Sequence, residues 1–181
     1  MPLHPRTSEL IEYLARTRTD LVTALDQVPA PLRERRPAPD AWSPAEIAEH
    51  LRVVEDGIVR MLNRTLDRTD LDALGPEADT SSVLGCLDRF RLLDATRRIE
   101  APELVRPAAD VTFEPALAGL AKTRDGMIAL LARVDGRAVG SITRPHLLLG
   151  PLTFYQWIVF VGQHEARHTH QVRATAARLQ A

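Results

Sequence analysis

The chain has 181 residues, 23 Lys plus Arg against 24 Asp plus Glu, six His and one Cys, a size that suits a single domain spanning 1–181. A hydrophobic fraction of 45% excludes wholesale disorder, and a net charge of −1 argues against a general nucleic-acid binder. Cys86 alone can form neither an internal disulfide nor a cysteine-based zinc site.

In chain order the periodicity is helical almost throughout. Leu10, Leu14, Leu21 and Leu25 share one stripe and predict a helix over 7–28, ended by the proline-rich stretch 29–40. Ser43, Pro44 and Glu46 read as cap, first helical position and capping-box partner of a second helix, with Trp42 and Ile47 as its hydrophobic staple. That helix is predicted to reach about residue 66. The segment 67–112 reads as a long crossover carrying a short extra helix around 82–98. A third helix is predicted over 113–134, stopped at Asp135-Gly136. Thr153 and Gln156 make a second capping box, with Leu152 and Trp157 as staple, and open a last helix running almost to the end. No alternating strand is convincing; 137–143 is the nearest candidate and too short for a sheet. The expected fold is all-α, an antiparallel four-helix bundle.

Composition offers few chemical groups. Lys122 is the only lysine, so a Schiff-base mechanism has a single candidate and is set aside. Nothing at the N-terminus resembles a signal peptide and no apolar run could span a bilayer, so the expected location is the cytoplasm, away from membranes.

The histidines carry more information. His164 and His168 stand four residues apart and project from one face of the last helix, with Trp157, Val161, Gln171 and Thr175. Such a pair suits a divalent metal, although an isolated pair is more often two satisfied or surface histidines. His50 falls on the buried stripe of the second helix with Ile47, Val54 and Met61. One metal would satisfy three inward imidazoles at once, and three nitrogen ligands leave a coordination position open. His4, His146 and His170 read as bystanders, although His146 could line a pocket mouth before the last helix.

The same residues also spell a rival pattern. His164-Glu165-Ala166-Arg167-His168 is literally H-E-x-x-H, the zinc-peptidase signature with Glu165 as base. The 13 residues after His168 contain no acidic third ligand, and Gln171 stands where the longer metzincin pattern needs glycine. Glu165 keeps two roles open: base beside the metal, or structural partner of Arg124 or Arg167. The structural role is favoured. Gln171 is a candidate contact for the site or a substrate, or a packing residue.

The stretches from Ala41 to Leu51, from Gly150 to Trp157 and from Gln163 to Gln171 resemble the DinB-like (YfiT-like) superfamily of metal-binding four-helix bundles. The resemblance covers most of the chain; 67–112 is longer and less recognisable than in shorter relatives. It implies that His50, His164 and His168 hold a divalent metal, nickel, zinc or similar. It further implies a small-molecule substrate, a homodimer, and activity as a thiol S-transferase using a low-molecular-weight thiol such as bacillithiol or mycothiol, or as a hydrolase. A metal-binding stress-response bundle without turnover is the alternative.

Overall fold

The computed structural model describes residues 2–94, 100–108 and 110–181. Four long helices form the bundle: α1 Pro5–Asp26, α2 Pro44–Leu66, α3 Phe113–Arg133 and α4 Phe154–Gln180. The α1–α4 and α2–α3 pairs pack most extensively, α2 meets α4 along a third seam, and α1 meets α3 more lightly.

Local chemistry sets the helix ends. In α2 the Glu46 amide donates to Ser43 Oγ while the Ser43 amide donates to the Glu46 carboxylate, at 3.1 and 2.8 Å. The reciprocal pair recurs at α4, where the Thr153 amide donates to Gln156 Oε1 at 3.0 Å and the Gln156 amide to Thr153 Oγ1 at 3.3 Å. Such boxes satisfy amides that have no acceptor inside the helix. Helix α1 starts two residues before the predicted position. Pro5 supplies a preset φ, and His4 Nδ1 accepts from the Arg6 amide at 3.3 Å. Gly136, with φ of 69°, turns the chain out of α3. Gly162 lets α1 and α4 approach closely, since a Cβ there would lie 2.2 Å from Tyr13 Cε1.

Two expectations are corrected. The short helix expected at 82–98 is a 3₁₀ segment, Leu84–Phe90. It ends at Arg91, whose φ of 49° is left-handed and cannot continue a helix; residues 95–98 of the expected helix lie outside the described residues. Leu87 anchors the 3₁₀ segment as its one fully buried side chain, too narrow a stripe to sustain an α-helix on packing alone. The second correction is a hairpin. β1 Thr143–His146 pairs antiparallel with β2 Gly150–Thr153, Thr143 opposite Thr153 and His146 opposite Gly150. Two prolines in short strands hide any alternation of polar and apolar residues. The pairing stands because the Phe154 amide donates to Ile142 O at 2.8 Å and Leu152 is fully buried, tying the hairpin to the start of α4.

The core has two apolar clusters. One gathers Leu10, Leu14, Ile58, Leu62, Met127, Leu130, Phe154 and Ile158; the other gathers Leu21, Leu25, Ile47, Leu51, Leu120 and Val172. Between them lies a charged layer to which every long helix contributes. Arg18 of α1 bonds Glu55 of α2 at 2.7 Å and Glu165 of α4 at 2.5 Å. Arg124 of α3 bonds the same two carboxylates at 2.8 and 3.0 Å. Thr17 and Thr123 complete it with hydroxyl donors to Glu165 and Glu55, at 2.7 and 3.1 Å. Two guanidinium and two carboxylate charges balance, as burial of ions requires.

Candidate metal centre

The site lies on the seam between α2 and α4. His164 and His168 are one helical turn apart on α4, and the position of His50 on α2 carries its imidazole across the seam. His164 Nε2 lies 3.2 Å from His50 Nε2 and 3.2 Å from His168 Nε2. One nitrogen from each of the three rings falls within 4.8 Å of the others.

The outward nitrogens settle which atoms face inward. His50 Nδ1 lies 2.7 Å from the carbonyl oxygen of Val105, delivered by a 3₁₀ turn, Glu103–Val105, of the crossover segment. His168 Nδ1 lies 2.7 Å from Gln171 Oε1. Each Nδ1 therefore donates, and each Nε2 presents a lone pair. His164 Nε2 can donate well to only one of these two. At least one 3.2 Å approach thus sets lone pair against lone pair, an arrangement that a cation relieves. A tetrahedral ion with nitrogen bonds of about 2.0–2.1 Å separates its ligands by roughly 3.3 Å. Both 3.2 Å approaches match that separation, the third pair stands within 4.8 Å, and three imidazole nitrogens are the donor chemistry of a divalent ion of the zinc or nickel kind.

Electrostatics point the same way. Burial, with the neighbouring His50, pushes His168 down to about 3. Burial, then His168 and His50, holds His164 well below 6.5. Burial also lowers His50, against the raising effect of the Val105 carbonyl. All three rings are neutral at physiological pH, the form that ligates metals.

Aromatic rings wall the cluster. Trp42, expected as a staple, lies over His50 and His168 with ring centroids 4.9 and 6.5 Å away. Phe160 stacks on His164 at 5.3 Å. His146 sits one ring further out, 4.7 Å from Phe160, and its Nδ1 accepts from the amides of Leu148 and Leu149 at 3.1 and 3.3 Å. That ring shapes the hairpin tip. Arg167 pins the crossover to α4 by donating to the carbonyls of Leu92 and Asp94 at 3.0 and 2.8 Å. His170 is exposed, off the site.

Glu165 is committed elsewhere. Its carboxylate accepts from Arg18, Arg124 and Thr17 in the charged layer, so Arg124 is its partner and Arg167 is not. The H-E-x-x-H pattern is left without its base, and the third histidine comes from an upstream helix. Sequence reasoning missed Val105, whose contribution is a backbone carbonyl with no sequence signature. It also missed Arg18 and Glu55, whose pairing joins helices far apart in the chain.

A four-helix bundle with three inward histidines shared between two helices defines a class of metal-site bundles. Within it, the sequence pattern of the DinB superfamily matches residues 13–172, and the chain belongs to that superfamily. The chain is 26% identical over 140 residues to a Bacillus subtilis (strain 168) protein called uncharacterized protein YuaE, covering 77% of this chain and 80% of that protein. Among solved structures it resembles TT2238, described as a four-helix bundle protein, with a TM-score of 0.60 and 22% identity across 93% of this chain and 98% of the other. An uncharacterised protein from Escherichia coli UTI89 is similar at a TM-score of 0.58 and 14% identity, covering 97% and 95%. These likenesses show the fold. Among the described residues no helix is long and apolar enough to cross a membrane.

Proposed function

We propose that this protein is a metal-dependent enzyme that transfers a small thiol to an electrophilic substrate, its divalent ion held by His50, His164 and His168. The convergence of three Nε2 atoms, two of them held as lone-pair donors by Val105 and Gln171, carries this reading. Nickel or zinc bound there would supply Lewis acidity, favouring the thiolate of a cosubstrate or the hydroxide of a water.

The chain's own residues favour the thiol. A thiol ionises near neutrality with electrostatic help alone, whereas hydrolysis gains from a protein base, and Glu165 is occupied by two arginines. Trp42 and Phe160 flank the cluster with apolar surface that limits water. Burial pushes the Cys86 thiol up, which makes it a poor nucleophile. The reacting sulfur is therefore assigned to a cosubstrate of the bacillithiol or mycothiol kind. The same commitment of Glu165 also favours a second reading, a metal-holding stress-response bundle without turnover, because it removes the one base candidate the sequence offered.

Purified protein is expected to carry about one divalent ion per chain by elemental analysis. His50→Ala and His164→Ala should each lose it; retention in both would overturn the site. Metal-loaded protein given a small thiol and an electrophilic acceptor should form the conjugate, and chelation should abolish it. A blank result across a broad panel of thiols and esters would select the bundle without turnover.

A further inference from the structure

Two of the three histidines have their outward nitrogen fixed by the protein, at Val105 and Gln171. His164 differs: its polar contacts are the two Nε2 approaches, and its Nδ1 has no hydrogen-bond partner among the described residues. Metal-ligating histidines donate their second N–H to a carboxylate, a carbonyl or a water, which fixes the ring.

Beside His164 lies a cavity of about 10 Å³, lined by Leu51, Val54, Glu55, Val161, His164 and Glu165. Neither His50 nor His168 lines it. Nε2 of His164 is turned towards those two residues, and its Nδ1 stands on the opposite edge of the ring, away from them. The volume is that of one water, which needs about 10–15 Å³ and two to four polar partners. Dry cavities are apolar, whereas three of the six residues around this one, His164, Glu55 and Glu165, carry polar side chains. Those carboxylates have room for another donor. Among the described residues, Oε1 of Glu165 accepts from Arg18 Nε alone, and Oε1 of Glu55 from Arg124 Nε alone.

We propose that this cavity holds one structural water that accepts the Nδ1–H of His164 and donates to Glu55 or Glu165. The charged layer at the bundle's centre then acts as the positioning group for the third histidine. All three imidazoles are thereby anchored from behind, His50 by a backbone carbonyl, His168 by an amide and His164 by a carboxylate through water. The functional consequence rests on the metal reading above; the water itself does not.

Glu165→Gln would disturb the ion pairs as well as the water, so Val161→Ile is the cleaner variant. It adds one methylene at the cavity wall and leaves every charge in place. A high-resolution crystal structure of the metal-free wild type should show a water within hydrogen-bonding distance of His164 Nδ1 and one carboxylate, and Val161→Ile should lack it. Zinc affinity of the folded variant, measured by chelator competition, should fall by about 10- to 100-fold. A dry cavity, or a water that does not reach His164, overturns the proposal. Equal zinc affinity in a variant that has lost the water overturns the positioning role. Failure of the wild type to bind zinc or nickel at all would instead strike the metal reading, and the positioning role with it, while water density in the metal-free crystal is read separately.

Discussion

Two histidines of the cluster, His50 and His168, are each oriented by an atom that never faces the metal position. The Gln171 amide oxygen holds His168 Nδ1 at 2.7 Å and thereby fixes both the tautomer and the ring angle. Gln171→Ala removes that acceptor and leaves all three imidazoles in place. Metal affinity is expected to fall about 10- to 100-fold, measured by competition with a chromogenic chelator, with the fold unchanged by circular dichroism. Gln171→Glu retains an acceptor at the same place and should restore most of the binding. A structural role confined to helix packing would leave affinity unmoved in both variants. The same logic separates His146 from the cluster. Its Nδ1 is spent on the hairpin amides, so His146→Ala should loosen the hairpin tip without releasing metal, as read by amide exchange and metal content.

At the level of the element, α2 is the best-specified helix and it carries His50. Its capping box is strengthened by Arg36, whose Nε donates to the two oxygens of Glu46 at 2.8 and 3.0 Å. Burial raises the Glu46 carboxyl, but Arg36 and the Ser43 amide outweigh it and hold it below the ordinary value of 4.5. A carboxyl lowered on folding stabilises the native state above its unfolded pKa and loses that contribution as pH falls through the folded one. Glu46→Gln can keep the capping hydrogen bond while losing the charge. It should cost about 0.5–1 kcal/mol near neutral pH, where Arg36 is half open to solvent and screened. The difference from wild type should close as the pH is lowered through the depressed pKa. Urea titrations of both proteins across the acid range check this, and a gap independent of pH would deny the ionic contribution.

Across the whole molecule, the charged layer joins all four long helices through polar contacts, as the two apolar clusters join them through packing. Leu14, Ile58, Met127 and Val161 lie on one side of it, and Leu21, Leu51, Leu120 and Val172 on the other. Buried ion pairs add little net stability compared with apolar packing, yet removing one partner strands a charge and costs about 3–5 kcal/mol. Glu165→Ala would leave Arg18 and Arg124 sharing a single carboxylate, and it should destabilise the protein by about that amount in chemical denaturation. If Glu165 instead served the metal as a base, the variant would lose activity with its stability intact. The layer also sets the bundle's register, because a one-turn slip of any one helix would break two of its four ion pairs.

Much of this architecture is written locally. Two capping boxes, an apolar stripe on every long helix and Gly136 are short-range signals, and they specify α1 to α4 to within about two residues. His164 and His168 share a helix face through spacing alone, and His50 follows from its place on the stripe of α2. The hairpin was not legible, because strands of four residues with Pro145 and Pro151 carry no alternation and exist by docking on α4. The role of Glu165 was legible in part: its place off the histidine face favoured a structural pairing with Arg124 or Arg167, and the partners across the bundle decide for Arg124 and add Arg18. The sequence by itself determined the helices and the residues able to bind a metal. Tertiary structure alone decided that their nitrogens meet within 4.8 Å, that a carbonyl from the crossover orients His50, and that four charges 18, 55, 124 and 165 along the chain neutralise one another. The reason is physical: caps and periodicity act over a few residues, whereas burial forces distant polar groups to find partners that no local pattern names.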